Sequence, residues 1–140
     1  APVSGLKEAF ETVLGVEKRR GVVVALSDFR EAAGEWFSPA RLVARRHDLI
    51  FGFVYDVREA EPPRTGTVEL IDPESGERVV VDPSSPAVAK EWRAGFQRHR
   101  KELLETAARI GVDVMELETS AELSETVAGF FRRRSGRRRR

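Results

Sequence analysis

Asp28 follows the apolar run Val22 to Leu26 after one residue, Ser27, and a carboxylate just past a strand can reach a hard cation directly or through a bound water. One carboxylate does not make a metal site. The alternative is that Asp28 hydrogen-bonds the backbone of its own loop, as turn acids commonly do. Asp56 follows the apolar run Leu49 to Tyr55, and Glu116 to Thr119, a stretch that includes Glu118, closes the run from Val112. Ligands of open parallel sheets lie beyond the carboxyl ends of the strands, so Asp28, Asp56 and Glu118 are candidate contact residues. Trp36 joins them, because it sits beside Phe37 and ahead of a helix-start signal. Trp92 falls on an apolar helical stripe and is expected in the core.

Other chemistry finds less support. His47-Asp48 has the residue types of an acid-base pair, but His47 falls in the last turn of an expected helix, where a cation complements the helix dipole. No serine or cysteine nucleophile accompanies it. His99 lies among Arg98, Arg100 and Lys101 on an expected solvated face. The chain contains no cysteine, which excludes disulfides, thiolate metal sites and a cysteine nucleophile, and favours a reducing, cytoplasmic compartment. Neither glycine-rich phosphate-binding pattern occurs. A metal-dependent hydrolase built on Asp28, Asp56 and Glu116 would need converging ligands and a base, so the expectation is a protein that is not an enzyme.

The elements that must position these residues follow from periodicity. Leu6, Phe10, Val13 and Leu14 recur at helical spacing over residues 5–19, with Arg19, Arg20 and Gly21 as a cationic end and stop. Val22 to Leu26 is continuously apolar and β-branched, the signature of a parallel strand buried on both faces. Ser38 as cap, Pro39 at the first helical position and Phe37 stapling onto Leu42 predict a short helix over 38–47. Leu49 to Tyr55 then completes a strand–helix–strand unit. Alternation around Val68 and Leu70, the turn Asp72 to Gly76 and the return at Val79 to Val81 predict an inserted hairpin over 67–82. Ser85 and Pro86 open a long helix carrying Val88, Trp92, Phe96, Leu103, Ala107 and Ile110 to a stop at Gly111. Val112 to Leu117 reads as a third strand. Thr119 with Glu122 forms a capping box ahead of a last helix with Leu123, Val127 and Phe130. The fold class is therefore α/β, an open, mostly parallel sheet with helices on both faces.

Charge divides the chain. Seven of the 24 basic residues lie within Arg132–Arg140, which leaves 17 against 23 acidic residues, a net −6, over residues 1–131. Residues 1–131 are expected to form the folded domain, and residues 132–140 a frayed arginine-rich tail. An acidic body argues against a broad nucleic-acid-binding face, although the tail itself could bind nucleic acid or an anionic membrane surface. No apolar run approaches the ~20 residues of a bilayer span.

Several strings of residues resemble one bacterial family. They are Gly21 to Phe29, Ala44-Arg45-Arg46-His47-Asp48, Asp56 to Pro63, Asp72 to Glu77, Asp113 to Leu117, and the ending Phe130-Phe131-Arg132-Arg133-Arg134. In order and spacing they look like the C-terminal half of the von Willebrand factor A-like family known as domain of unknown function 58, often encoded beside MoxR-type AAA+ ATPases. The resemblance implies a protein-interaction module that assists such an ATPase with a client protein. Domains of that fold hold a divalent cation, such as Mg2+, through a D-x-S-x-S loop, a threonine and a later aspartate. Asp28 matches the aspartate and Ser4 stands near the threonine position, whereas the D-x-S-x-S segment is absent. Asp28 and Ser4 are thus at most the remnant of an adhesion site, with no cofactor expected in this chain alone. The missing initiator methionine fits a C-terminal portion of a longer protein. The resemblance also puts a strand beside Val22 to Leu26 that this chain lacks, so an open edge and self-association through it are expected.

Overall fold

The computed structural model describes residues 5–72 and 75–138, which fall into two compact units. The first comprises the residues up to Tyr55 and from Glu102 onwards, the second Asp56–Lys101. Ser4 lies outside the described residues.

The first unit is a three-stranded parallel sheet in the order β1 (Val22–Ser27), β2 (Asp48–Tyr55), β5 (Asp113–Glu118). Register runs Val24↔Ile50 and Ser27↔Phe53 on one side of β2, and Ile50↔Asp113 and Tyr55↔Glu118 on the other. Side chains alternate between faces along a strand. Phe51 accordingly points to one face, where Phe10 of α1 (Leu6–Val16) and Trp36 of α2 (Ala33–Arg46) lie 6.3 and 5.6 Å from its ring. Ile50 points to the other, packed with Met115, Leu117 and Phe130, the last from α5 (Leu123–Arg138). The sheet therefore carries helices on both faces, as the apolar runs imply.

In the second unit, Asp56 caps a four-residue helix, α3 (Val57–Ala60), that periodicity did not signal. The antiparallel hairpin β3 (Val68–Ile71) and β4 (Arg78–Val81) follows, as expected from the turn at Asp72. Helix α4 (Pro86–Ile110) begins in this unit and ends in the first, where Gly111 adopts φ +81° and both Gly111 and Val112 donate their N–H to Ala107 O. That is the glycine stop read from the sequence. No helix among the described residues is long and apolar enough to cross a membrane.

Six expectations are corrected. Helix α2 starts at Ala33, not at Ser38, and Pro39 lies inside it. An internal proline costs up to about 3 kcal/mol, but starting the helix early buries Trp36 against Phe29 and Phe51, and an aromatic that size buries roughly 150–250 Å². Trp36 is therefore core, 1% exposed, and not a surface contact. Trp92 is only half-buried and donates Nε1–H to Arg58 O at 3.0 Å.

Strand β1 is not buried on both faces. Val22, Val24 and Leu26 are 61%, 40% and 64% exposed, because α5 packs over β5 and β2 and leaves that side of β1 uncovered. Among the described residues β1 pairs on one side only, so the expected open edge is present. The Thr119–Glu122 capping box does not form: Thr119 N–H goes to Tyr55 O, and the Glu122 carboxylate accepts from Ser124 N–H at 3.4 Å. Finally, the arginine run is no frayed tail from Arg132, since α5 continues through Arg138.

Candidate functional site

The carboxyl ends of the strands bring the expected acids to one edge of the sheet but occupy each of them locally. Beyond β1, Ser27 Oγ accepts from Phe29 N–H at 2.9 Å and Asp28 Oδ1 from Arg30 N–H at 3.1 Å. These two side-chain bonds hold the turn and let Phe29 take φ +53° while its ring packs 4.8 Å from Phe51. A left-handed phenylalanine costs roughly 1–2 kcal/mol, which the buried ring offsets. Asp28 itself is exposed.

At the end of β5, Glu118 Oε1 accepts from Ser120 N–H at 2.9 Å and from the Ser120 hydroxyl. Strand β2 separates Asp28 from Glu118. Two strand spacings of roughly 4.8 Å each put the pair far beyond a shared cation, whose oxygen ligands sit within about 2.6 Å. No cluster of three or more carboxylates or imidazoles able to hold a metal exists among the described residues.

Asp56, directly after β2, caps α3 in a reciprocal box: its Oδ1 accepts from Arg58 N–H at 2.8 Å and its own N–H donates to Glu59 Oε1 at 3.0 Å. Arg58 adds a forked pair of side-chain bonds at 2.9 and 3.0 Å. These bonds hold the Asp56 carboxyl down at about 2.

The most developed polar cluster lies at the opposite edge, and sequence reading missed it. Asp48 and Asp113 open β2 and β5, and Arg134 of α5 reaches both, donating Nη1–H to Asp48 Oδ2 and Nε–H to Asp113 Oδ2, each at 2.8 Å. Arg138 adds a 2.8 Å bond to Asp48, and Arg137 stands 3.6 Å from Asp113. Hydrogen bonds from Arg134 chiefly lower the Asp48 pKa to about 2, against the opposing effect of burial. Together with Arg20, His47, Leu49 and Gly111 these residues line a cleft of about 450 Å³. His47 does not sit at a solvated helix end: it is 2% exposed, its Nδ1 accepts from Gly21 N–H at 3.3 Å, and its buried Nε2 has no partner among the described residues. The available signal was that two strands begin with aspartate and the run after Phe131 holds cations at helical spacing.

The remaining feature is the edge of β1 itself, six residues without a charge, Val22 to Ser27. The other edge strand, β5, carries Asp113, Glu116 and Glu118 in the same length. Charges are the usual device that keeps an edge from pairing, and β1 lacks it.

Sequence comparison agrees with the strings that suggested a family. The model described as Protein of unknown function DUF58 matches residues 1–102. The chain belongs to the DUF58 family. Uncharacterized proteins of Mycobacterium tuberculosis and Mycobacterium bovis are each 33% identical over 133 residues, covering 94% of this chain and 41% of their own length. An uncharacterized protein of Mycobacterium avium is 27% identical over 131 residues, 92% of this chain and 75% of that protein. This DUF58 chain thus spans about two-fifths of the first relatives it matches. No solved structure matches.

Proposed function

We propose that this DUF58 chain is a protein-interaction module, not an enzyme, and that it docks partners through the open edge of β1. The observation behind this reading is the uncharged strand Val22–Ser27, unpaired on one side, with Val22, Val24 and Leu26 exposed on the adjoining face. A strand of that kind offers backbone hydrogen bonds for affinity and side-chain pockets for selection, the physics of strand addition. The carboxyl-edge acids support a binding role over a hydrolytic one, since Asp28, Asp56 and Glu118 each stabilise their own turn or cap.

The resemblance supplies the finer reading: a von Willebrand A-like module that works with a MoxR-type AAA+ ATPase on a client protein in the cytoplasm. Asp28 would contribute to a Mg2+-dependent adhesion site only together with ligands this chain does not carry. The open edge also favours self-association of the chain on its own. Polymer binding through the arginine-rich end is the weaker alternative, because Arg134 and Arg138 are committed to Asp48 and Asp113.

Light scattering on the chain, as wild type and as Val24→Lys, tests the edge. The expected result is an associated wild type and a monomeric variant, and a monomeric wild type overturns self-association. A pull-down with the neighbouring ATPase should lose recovery on Val24→Lys. Equal recovery would remove β1 from the interface, and a further loss with Asp28→Ala would assign Asp28 to it.

A further inference from the structure

The docking role proposed above for the open edge of β1 is the premise; from it we infer that the edge is occupied by β1 of a second copy, antiparallel about a two-fold axis at Val24, with Arg20 of each copy opposite Asp28 of the other. The backbone points to this pairing first. Gly21 O accepts Asp48 N–H at 2.8 Å, which in a parallel ladder turns the backbone groups of Val23 and Ala25 toward β2 and those of Val22, Val24 and Leu26 toward the open edge. Among the described residues no strand takes these outward groups up. Antiparallel strands exchange hydrogen bonds between directly opposed residues. An axis at Val24 therefore sets Val24 against its own counterpart and Val22 against Leu26, so that every outward group of the strand gains a partner. The exposed side chains of Val22, Val24 and Leu26 then meet across the junction on one face.

Charge supplies the independent observation and selects a second copy as the occupant. Gly21 to Ser27 carries no charged residue and is bounded by Arg20 and Asp28, each four positions from Val24. Both are exposed. The charge thus changes sign about Val24, and antiparallel pairing centred there puts a guanidinium opposite a carboxylate at both ends. An axis at Val23 would set Arg20 against the apolar Leu26, and one at Ala25 would set Asp28 against Val22. Asp28 keeps its turn bond to Arg30 N–H through Oδ1, since a carboxylate accepts several hydrogen bonds. Phe29, at φ +53°, bends the chain out of line, so the pairing ends at Asp28. Opposite charges facing each other across two strands stabilise and like charges destabilise, and the two-fold axis makes each contact twice.

Charge exchange followed by sedimentation equilibrium tests the pairing. Arg20→Asp and Asp28→Arg each oppose like charges at both ends and should weaken self-association about tenfold or more. An equimolar mixture of the two variants, or the double variant Arg20→Asp/Asp28→Arg, should associate as the wild type does. Arg20→Asp lies outside the turn that Asp28 holds, so it probes the pair without disturbing that turn. A monomeric wild type, or an Arg20→Asp variant that associates as tightly as the wild type, overturns the pairing. Because the chain has no cysteine, single introduced thiols report the register. Val24→Cys, with its counterpart roughly 5.5 Å away between Cα atoms, is within disulfide reach and should cross-link on oxidation, whereas Leu26→Cys, opposite Val22, should not. Equal cross-linking at the two positions overturns the register. Association abolished by Val24→Lys but indifferent to charge exchange would keep docking at the edge and sink this pairing; association that survives Val24→Lys would sink both.

Discussion

Arg134 and Asp48, 86 residues apart in the chain, are joined by two hydrogen bonds, one running from Nη1 to Oδ2 at 2.8 Å, in a cluster where the arginine side chain is 11% and the aspartate 16% exposed. The last helix is thereby fastened to the first residue of the central strand. Removing one member of a largely buried charged pair leaves the other without compensation, so Arg134→Ala should destabilise the protein by about 2–4 kcal/mol. Arg132→Ala, at an exposed position of the same helix, should stay within about 0.5 kcal/mol. Urea denaturation of the two variants makes the comparison; equal losses would mean that helix propensity, and not the strut, holds α5 down.

The same pair sets an acid limit. Because the folded pKa of Asp48 is lowered from 3.8 to about 2, its contribution is fully present above 3.8 and is lost as pH falls toward 2. Discounting for solvent screening, that contribution is on the order of 1–2 kcal/mol. Stability measured from pH 5 to pH 2 should fall more steeply in the wild type than in Asp48→Asn. Parallel profiles would remove Asp48 as the source.

Asp56 gives a local version with a different readout. Its carboxyl is held at about 2 by bonds from Arg58, so carbon NMR should find a titration midpoint near that value. In Arg58→Ala, which removes the forked side-chain bonds but keeps the backbone bond, the midpoint should move up toward 3.8 without reaching it. No movement would mean that the cap backbone alone sets the value.

The fate of Trp36 shows where sequence reading stops. The continuous apolar runs announced the strands correctly, because a strand in the middle of a parallel sheet must be apolar on both faces, as β2 is. The same continuity in Val22 to Leu26 cannot distinguish a covered strand from an open one, since that depends on which helix lies above it. Ser38-Pro39 is a sound local start signal, but local energies of this size yield to the burial of an indole between Phe29 and Phe51. Arg134 was hidden by its neighbours: among so many arginines, nothing local marks the one whose partners lie 86 and 21 residues away. Trp36→Ala should therefore cost about 3–5 kcal/mol of stability, as seen by chemical denaturation. A stable variant that merely loses a partner would restore the surface role.

Pro39 offers a prediction of opposite sign. It lies inside α2, past the first turn that begins at Ala33, so its missing N–H leaves Glu35 O without the usual partner one turn on. Alanine at this position restores that bond and a strong helix former, while giving back about 0.4–1 kcal/mol of unfolded-state entropy that proline had removed. The balance favours alanine, and Pro39→Ala should stabilise the protein by about 1–2 kcal/mol, raising its melting temperature by roughly a few degrees. The neighbouring Ala40 and Val43 are fully buried, so the proline ring could instead be wedged against that core. A lower melting temperature in Pro39→Ala would show that packing of the ring outweighs the lost hydrogen bond.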